Sequence, residues 1–252
     1  MLRCALFAAV KERRHFTSYV VIGQFPDMLI EFIGEQFNQD DHDTLMQLIK
    51  MALHREFGID IVQAVNAVLR GIGRSTHQEQ RRQLFEQVSR LVRGTIRVTM
   101  GGQSRYEGHI IDDACTPQDQ ETLPRFRRHI AYRLNPKFAA FYNANSYTLI
   151  DTQKRQLIKG RGSELGKWLH LLIESNAAFY PTKVETLHGR SGSSCKEMWK
   201  FRQLLRQALD LLKRAGVLHA WEIDPASDLV TVARTPSQAQ QKHIGRKQER
   251  AI

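Results

Sequence analysis

The chain has 252 residues, with Lys+Arg 37 against Asp+Glu 26, a formal net charge of +11 and a pI near 9.8. An apolar content of 42% is enough for real cores and excludes disorder throughout. No stretch approaches the roughly 18–20 uncharged apolar residues of a membrane span, and the opening MLRCALFAAVKERR is too soon charged to read as a secretory signal.

In chain order, YVVIG (19–23) and MLIEFIG (28–34) read as strands or short turns of structure. DDHDTLMQLIKMALHREF (40–57) reads as a helix, with Leu45, Leu48, Ile49 and Leu53 at helical spacing and Asp40 to Asp43 as caps. IDIVQAVNAVLRGIG (59–73) reads as a second helix through Ile61, Val62, Val65 and Val68. STHQEQRRQLFEQVSRLV (75–92) is a third, capped by Ser75 or Thr76, with Leu84, Phe85, Val88, Leu91 and Val92 as its stripe. TIRVTMGG and RYEGHIIDD then alternate as two strands around a Gly-Gly turn.

The second half repeats this order. Strand-like pieces fill 126–151, broken at Asn135-Pro136. A helix over 163–175 is capped by Ser163, and a short helix over 182–192 closes on Gly189 and Gly192. A long helix over 193–216 is capped by Ser193 or Ser194, carries the stripe Met198, Phe201, Leu205, Ala208 and Leu212, and stops at Gly216. Strands over 217–224 and 228–234 close it. Helix, short helix, turn, long helix and hairpin is the order of a winged helix-turn-helix.

The expected fold class is therefore α+β: two tandem winged-helix domains, helix-rich with β-hairpin wings. The expected division is an N-terminal segment (1–17), a first winged-helix domain (18–150), a second winged-helix DNA-binding domain (151–236) and a basic tail (237–252) that reads as disordered.

Charge is distributed to match. Eight acidic residues lie between Asp27 and Asp60, whereas eight Arg fall between Arg70 and Arg105 and eight Lys/Arg between Pro181 and Gly216. The basic blocks coincide with the long helices, which points to a polyanion, most simply nucleic acid; a soluble protein that happens to be basic is the plain alternative. A major groove admits one α-helix, whose N-terminal turns meet base edges. The first helix offers Arg74, Ser75, Thr76, His77, Gln80, Arg81 and Arg82, with Arg105 at the first wing tip. The second offers Arg190, Ser193, Ser194, Lys196, Lys200 and Arg202, while its wing tip (226–228) carries no positive charge. Arg can read guanine, Gln can read adenine, and hydroxyls can hold phosphate. Which residues meet bases and which meet phosphates stays open, and an ordinary solvated face is the alternative for any one of them.

CALF (4–7) resembles the ALF that opens the core of TrfA-type plasmid replication initiators. The segment from 163 to 224 resembles that family's closing block in Tyr180, Pro181, Lys183, Glu185, Thr186, Gly192, Ser193, Lys200, Arg202, Ala208, Leu209, Leu212 and Gly216. The order of elements is also similar to that of RepC-type initiators. The resemblance implies tandem winged-helix domains that bind double-stranded DNA at direct repeats (iterons) of a plasmid origin. It further implies origin opening, recruitment of host replication proteins such as the host initiator and replicative helicase, copy control, a monomer–dimer equilibrium and a cytoplasmic location. Some members carry a sliding-clamp motif of the Q-L-x-L-F kind; the nearest string here, QLF (83–85), falls in the buried stripe and reads as packing.

No cofactor and no enzyme activity are expected. Cys4, Cys115 and Cys195 are too widely spaced for a disulfide framework or zinc finger, which argues for a reducing compartment. In HIIDD (109–113), strand alternation puts His109 and Asp113 on one side and Asp112 on the other, too few ligands for a metal centre. His54, His170 and His188 lack paired carboxylates, and His170 reads as semi-buried. Cys195 at a helix start could have a favoured thiolate, but no His-plus-acid set accompanies it. No glycine run continues into a phosphate-binding Gly-Lys-Ser/Thr. Tyr142 and Tyr147 lack the His-x-His of a nicking nuclease. A winged-helix transcriptional regulator, binding an inverted repeat as a symmetric dimer, is the competing function.

Overall fold

The computed structural model describes residues 4–53, 55, 58–115, 128–139, 150–236 and 240–241. The chain divides into two compact units, Glu12–Tyr147 and Met1–Lys11 with Thr148–Ile252. Residues 1–11 thus group with 148–252. His54, Tyr142, Tyr147 and most of the basic tail lie outside the described residues.

The first unit opens with β1 (His15–Phe25) and β2 (Met28–Glu35), followed by α1 (Gln39–Ala52), β3 (Ile61–Ala64), α2 (Val65–Gly71) and α3 (Gln78–Arg93). It continues through β4 (Thr95–Met100), β5 (Gln103–His109), β6 (Ile111–Cys115), β7 (His129–Leu134) and α4 (Pro136–Ala139). An antiparallel sheet runs β1-β2-β4-β5, and a second runs β3-β7-β6. Period-2 alternation builds the first: Ile30 faces Val98 and Phe32 faces Ile96 across the strands, and all four are buried. Gly101 and Gly102 both take positive φ, which the tight β4–β5 turn requires.

Three local readings change. Asn38, not the following aspartates, caps α1: its side chain accepts from the amides of Asp40 and Asp41, while Asp41 accepts from the Asn38 amide. Residues 61–64 are strand rather than helix, because the β-branched run pairs with β7, Ile61 opposite Tyr132. His77 caps α3, without a side-chain bond, so Ser75 and Thr76 lie before the helix.

α1 and α3 pack through Leu45, Leu48, Leu84, Val88 and Leu91, all fully buried. Phe85 is buried and Gln83 partly so, consistent with QLF as packing. A polar bolt joins the same helices. Arg90 of α3 donates to the buried Asp41 carboxylate at 3.0 and 3.1 Å, and Arg13 reaches its other oxygen at 3.5 Å. Burial raises the Asp41 carboxyl above its ordinary value against the pull of Arg90 and Arg13. Such a pair specifies geometry more than it adds net stability, yet loss of one partner strands the other.

The second unit holds α5 (Thr152–Leu157), α6 (Ser163–Glu174), β8 (Thr182–Lys183), α7 (Val184–Ser191), α8 (Met198–Arg214), β9 (Ala220–Ile223) and β10 (Leu229–Ala233). Its sheet is antiparallel in the order β8-β10-β9. The core gathers Trp168, Leu169 and Leu172 of α6, Leu187 of α7, Phe201, Leu205, Ala208 and Leu212 of α8, and Val230 of β10. The N-terminal segment belongs to this core: Ala9 packs in it and donates to the Ser191 carbonyl at 2.8 Å, and Trp168 donates to the Cys4 carbonyl at 3.3 Å. Gly192 closes α7 at φ 66, and a Cβ there would lie 2.8 Å from that of Ala5, so both turn and packing require glycine.

Here too the ends move. Gly162 in left-handed conformation precedes α6, so Ser163 is its first residue and not its cap. The short helix gives up Thr182 and Lys183 to β8, and Gly189 lies inside α7. α8 begins only at Met198. Residues 193–197 instead make a turn of local bonds: Ser193 N donates to Ser191 Oγ and Cys195 N to Ser193 Oγ, each at 3.3 Å.

Both units thus carry the order helix, short strand, short helix, long helix, hairpin. The turns before the long helices, residues 72–77 and 192–197, are of equal length. They differ in sheet closure: β8 pairs with β10 of its own hairpin, whereas β3 pairs with β7 and not with β4–β5.

Candidate nucleic-acid interface

The candidate interface comprises the N-terminal turns of α3 and α8 with the turns before them. Neither helix has a side-chain hydrogen bond at its cap, His77 or Glu197, so amides of the first turn are left for solvent or a ligand.

Around α3 the cations are already engaged. Arg74 pairs with Asp40 at 2.9 Å and donates to Gln87 at 3.4 Å, which binds it to α1 and α3. Arg81 donates Nε to the Thr76 carbonyl at 3.0 Å and braces the preceding turn. Arg82 is exposed but bridges Glu79 and Glu86, and it holds the Glu79 carboxyl below the usual range. Ser75 and His77 are exposed, and Thr76 and Gln80 are half-buried. The outward face of α3 is therefore close to charge-balanced. At the start of β5, Gln103, Ser104 and Arg105 are exposed, and Arg105 makes no ion pair among the described residues.

α8 presents a different face. Phe201, Leu205, Ala208 and Leu212 point inward and are buried, so Trp199, Gln203, Arg206 and Asp210 fall opposite, and all four are exposed. Arg190, Ser194 and Lys196 are exposed just before the helix; Ser193 is half-buried in the turn. Arg190 and Lys196 make no ion pair among the described residues. Lys200 is paired with Glu197 at 2.6 Å and lies 5.2 Å from the centre of the Trp199 ring.

Arg202 is the largest departure from the sequence reading. Its guanidinium donates to both oxygens of Asp228, at 2.9 and 2.7 Å, and holds that carboxyl below the usual range. Asp228 takes a left-handed φ of 56 at the hairpin turn. Arg202 thus ties α8 to the β9–β10 turn and fixes that turn against the helix. Sequence reading also passed over Trp199, Gln203 and Arg206, although the buried stripe places them on the opposite face.

The residues set aside as catalytic have structural partners. A bend at Ile110 interrupts the expected alternation of HIIDD between β5 and β6. His109 Nδ1 lies 3.2 Å from the Gly94 carbonyl, Asp112 accepts from Asn135, and Asp113 pairs with Arg133. His170 is fully buried rather than semi-buried, and His188 Nε2 lies 2.7 Å from the Cys195 carbonyl. Cys195 sits in the turn before α8 and not at a helix start, so the helix-terminus argument for its thiolate lapses. Among the described residues no group of three or more His, Cys, Asp or Glu comes together to hold a metal, and no helix is long and apolar enough to cross a membrane.

No family model and no curated sequence matches the chain. Solved structures do. Domains 2 and 3 of RctB, as the selenomethionine derivative, match with a TM-score of 0.64 at 12% identity, over 90% of this chain and 94% of that one. A second structure, RctB residues 155–483, matches with a TM-score of 0.57 at 13% identity, over 89% and 84%. At such identity the likeness is one of fold: this α+β chain, with its antiparallel sheets, is similar in architecture to domains 2 and 3 of RctB over most of its length.

Proposed function

We propose that the protein is a replication initiator that binds double-stranded DNA through two winged-helix modules, with α8 as the principal recognition helix. The observation that carries this is the outward face of α8. It presents Trp199, Gln203 and Arg206, with Lys196 and Arg190 beside it, in a fold similar to that of domains 2 and 3 of RctB. In this reading α7 crosses the phosphate backbone, the first three turns of α8 enter the major groove, and β9–β10 is a wing whose angle is set by the Arg202–Asp228 pair. Asp210, in the fourth turn, would repel phosphate and so limits contact to the earlier turns.

The narrower reading is an iteron-binding plasmid initiator of the TrfA or RepC kind, supported by the residues that resemble that family's closing block. Two non-identical modules in one chain suit a directly oriented site better than a palindrome. The protein acts by binding: origin opening follows from DNA distortion, and helicase recruitment from protein contacts. The test is a gel shift on DNA flanking the gene, with competitor. A ladder of discrete complexes on direct repeats is expected; a single complex on an inverted repeat contradicts the iteron reading, and equal smearing on all DNA contradicts specific recognition.

A further inference from the structure

We infer that Trp199 reads thymine in the major groove, its ring against the C5-methyl, and thereby sets a T·A preference at the DNA site of α8. The inference rests on the DNA-binding reading above and names what one residue of that surface recognises.

The three tryptophans differ sharply. Trp168 is 1% exposed in the core of its unit. Trp221 is half-buried and donates its indole N–H to Asp210 at 3.1 Å. Trp199 is 62% exposed, and its N–H has no hydrogen-bond partner among the described residues. Leu157 and Tyr180 of the same unit are as open, at 65% and 70%, so what sets Trp199 apart is its place on the helix and not its exposure. It occupies the second residue of α8, where a recognition helix meets base edges, in line with Gln203 and Arg206.

The indole offers a flat apolar surface and one donor, and no acceptor. Thymine presents a methyl group and the O4 acceptor in the major groove. Cytosine presents a donor and no methyl, so it would oppose the indole N–H. Guanine has acceptors but nothing apolar. Lys200 lies 5.2 Å from the ring centre but is already paired with Glu197 at 2.6 Å, so the discrimination is assigned to the ring.

The experiment uses the full chain and a duplex recovered by it from a random-sequence pool. Affinity is measured by fluorescence anisotropy for wild type, Trp199→Ala and Trp199→Phe, on that duplex and on the same duplex with uracil replacing each thymine. Uracil removes only the methyl group. Wild type should lose about tenfold on the uracil duplex. Trp199→Ala should lose a similar factor on the thymine duplex and nothing further on uracil, while Trp199→Phe keeps part of the difference. Melting temperatures should stay within a degree or two, since the side chain is outside the core.

Independent losses from the variant and from uracil would overturn the inference. So would unchanged binding by Trp199→Ala, a recovered site without thymine, or a Trp199→Ala effect confined to self-association in sedimentation, which would make the ring a protein contact. Failure to recover any duplex would instead refute the DNA-binding reading, and the inference with it.

Discussion

The two long helices share an order of elements and an uncapped start, yet their surfaces are built to different ends. α3 is held on every side: Arg90 on Asp41, Arg74 on Asp40, Arg81 on its own preceding turn, Arg82 between Glu79 and Glu86. α8 directs one cation, Arg202, to the hairpin and leaves Trp199, Gln203 and Arg206 outward. The difference teaches that a count of arginines near a helix start is a poor guide to binding. What matters is which guanidiniums already have carboxylates.

The comparison breaks most severely at Asp41. Asp41→Ala leaves the buried Arg90 with only the longer contact to Glu35, at 3.5 Å, and should cost the first unit about 3 kcal/mol in denaturant unfolding. No residue of the outward face of α8 should approach that figure. Next, Lys196→Ala with Arg206→Ala should weaken DNA binding by about 1–3 kcal/mol and flatten the log–log salt dependence by about two units, while stability changes by no more than about 0.5 kcal/mol. Arg82→Ala should alter binding by less than about 0.5 kcal/mol, because its charge is already balanced by Glu79 and Glu86.

A further effect belongs to the β9–β10 hairpin. A double-mutant cycle on Arg202 and Asp228 should give a favourable but small coupling, as for a solvent-screened surface pair. Its sign with pH follows from the lowered carboxyl: the coupling is present above the ordinary carboxylate range and fades as the pH falls through the depressed folded value. Cycles at neutral and strongly acidic pH check this.

Periodicity made most elements legible. The stripes over 84–92 and 198–212 and the alternation over 28–34 and 95–100 correspond to elements present in the structure. What escaped notice depends on distant partners or on competing local bonds. β3 looks helical until β7, far along the chain, pairs with it. Ser193 and Ser194 look like caps, but Ser191 and Ser193 close their own turn and delay α8 to Met198. Arg202 looks like a DNA contact because Asp228, 26 residues on, is its partner only once the hairpin folds back. Trp199 was within reach: reading the buried stripe of α8 from its opposite side would have exposed it.

The most direct test compares the two helices in one experiment. Affinity for a direct-repeat DNA would be measured for the full chain with Lys196→Ala and Arg206→Ala, and separately with Arg81→Ala and Arg82→Ala. The account predicts a loss of about 10- to 100-fold for the first pair and less than about threefold for the second. Equal losses, or a larger loss from the α3 pair, would contradict the assignment of α8 as the helix that reads DNA.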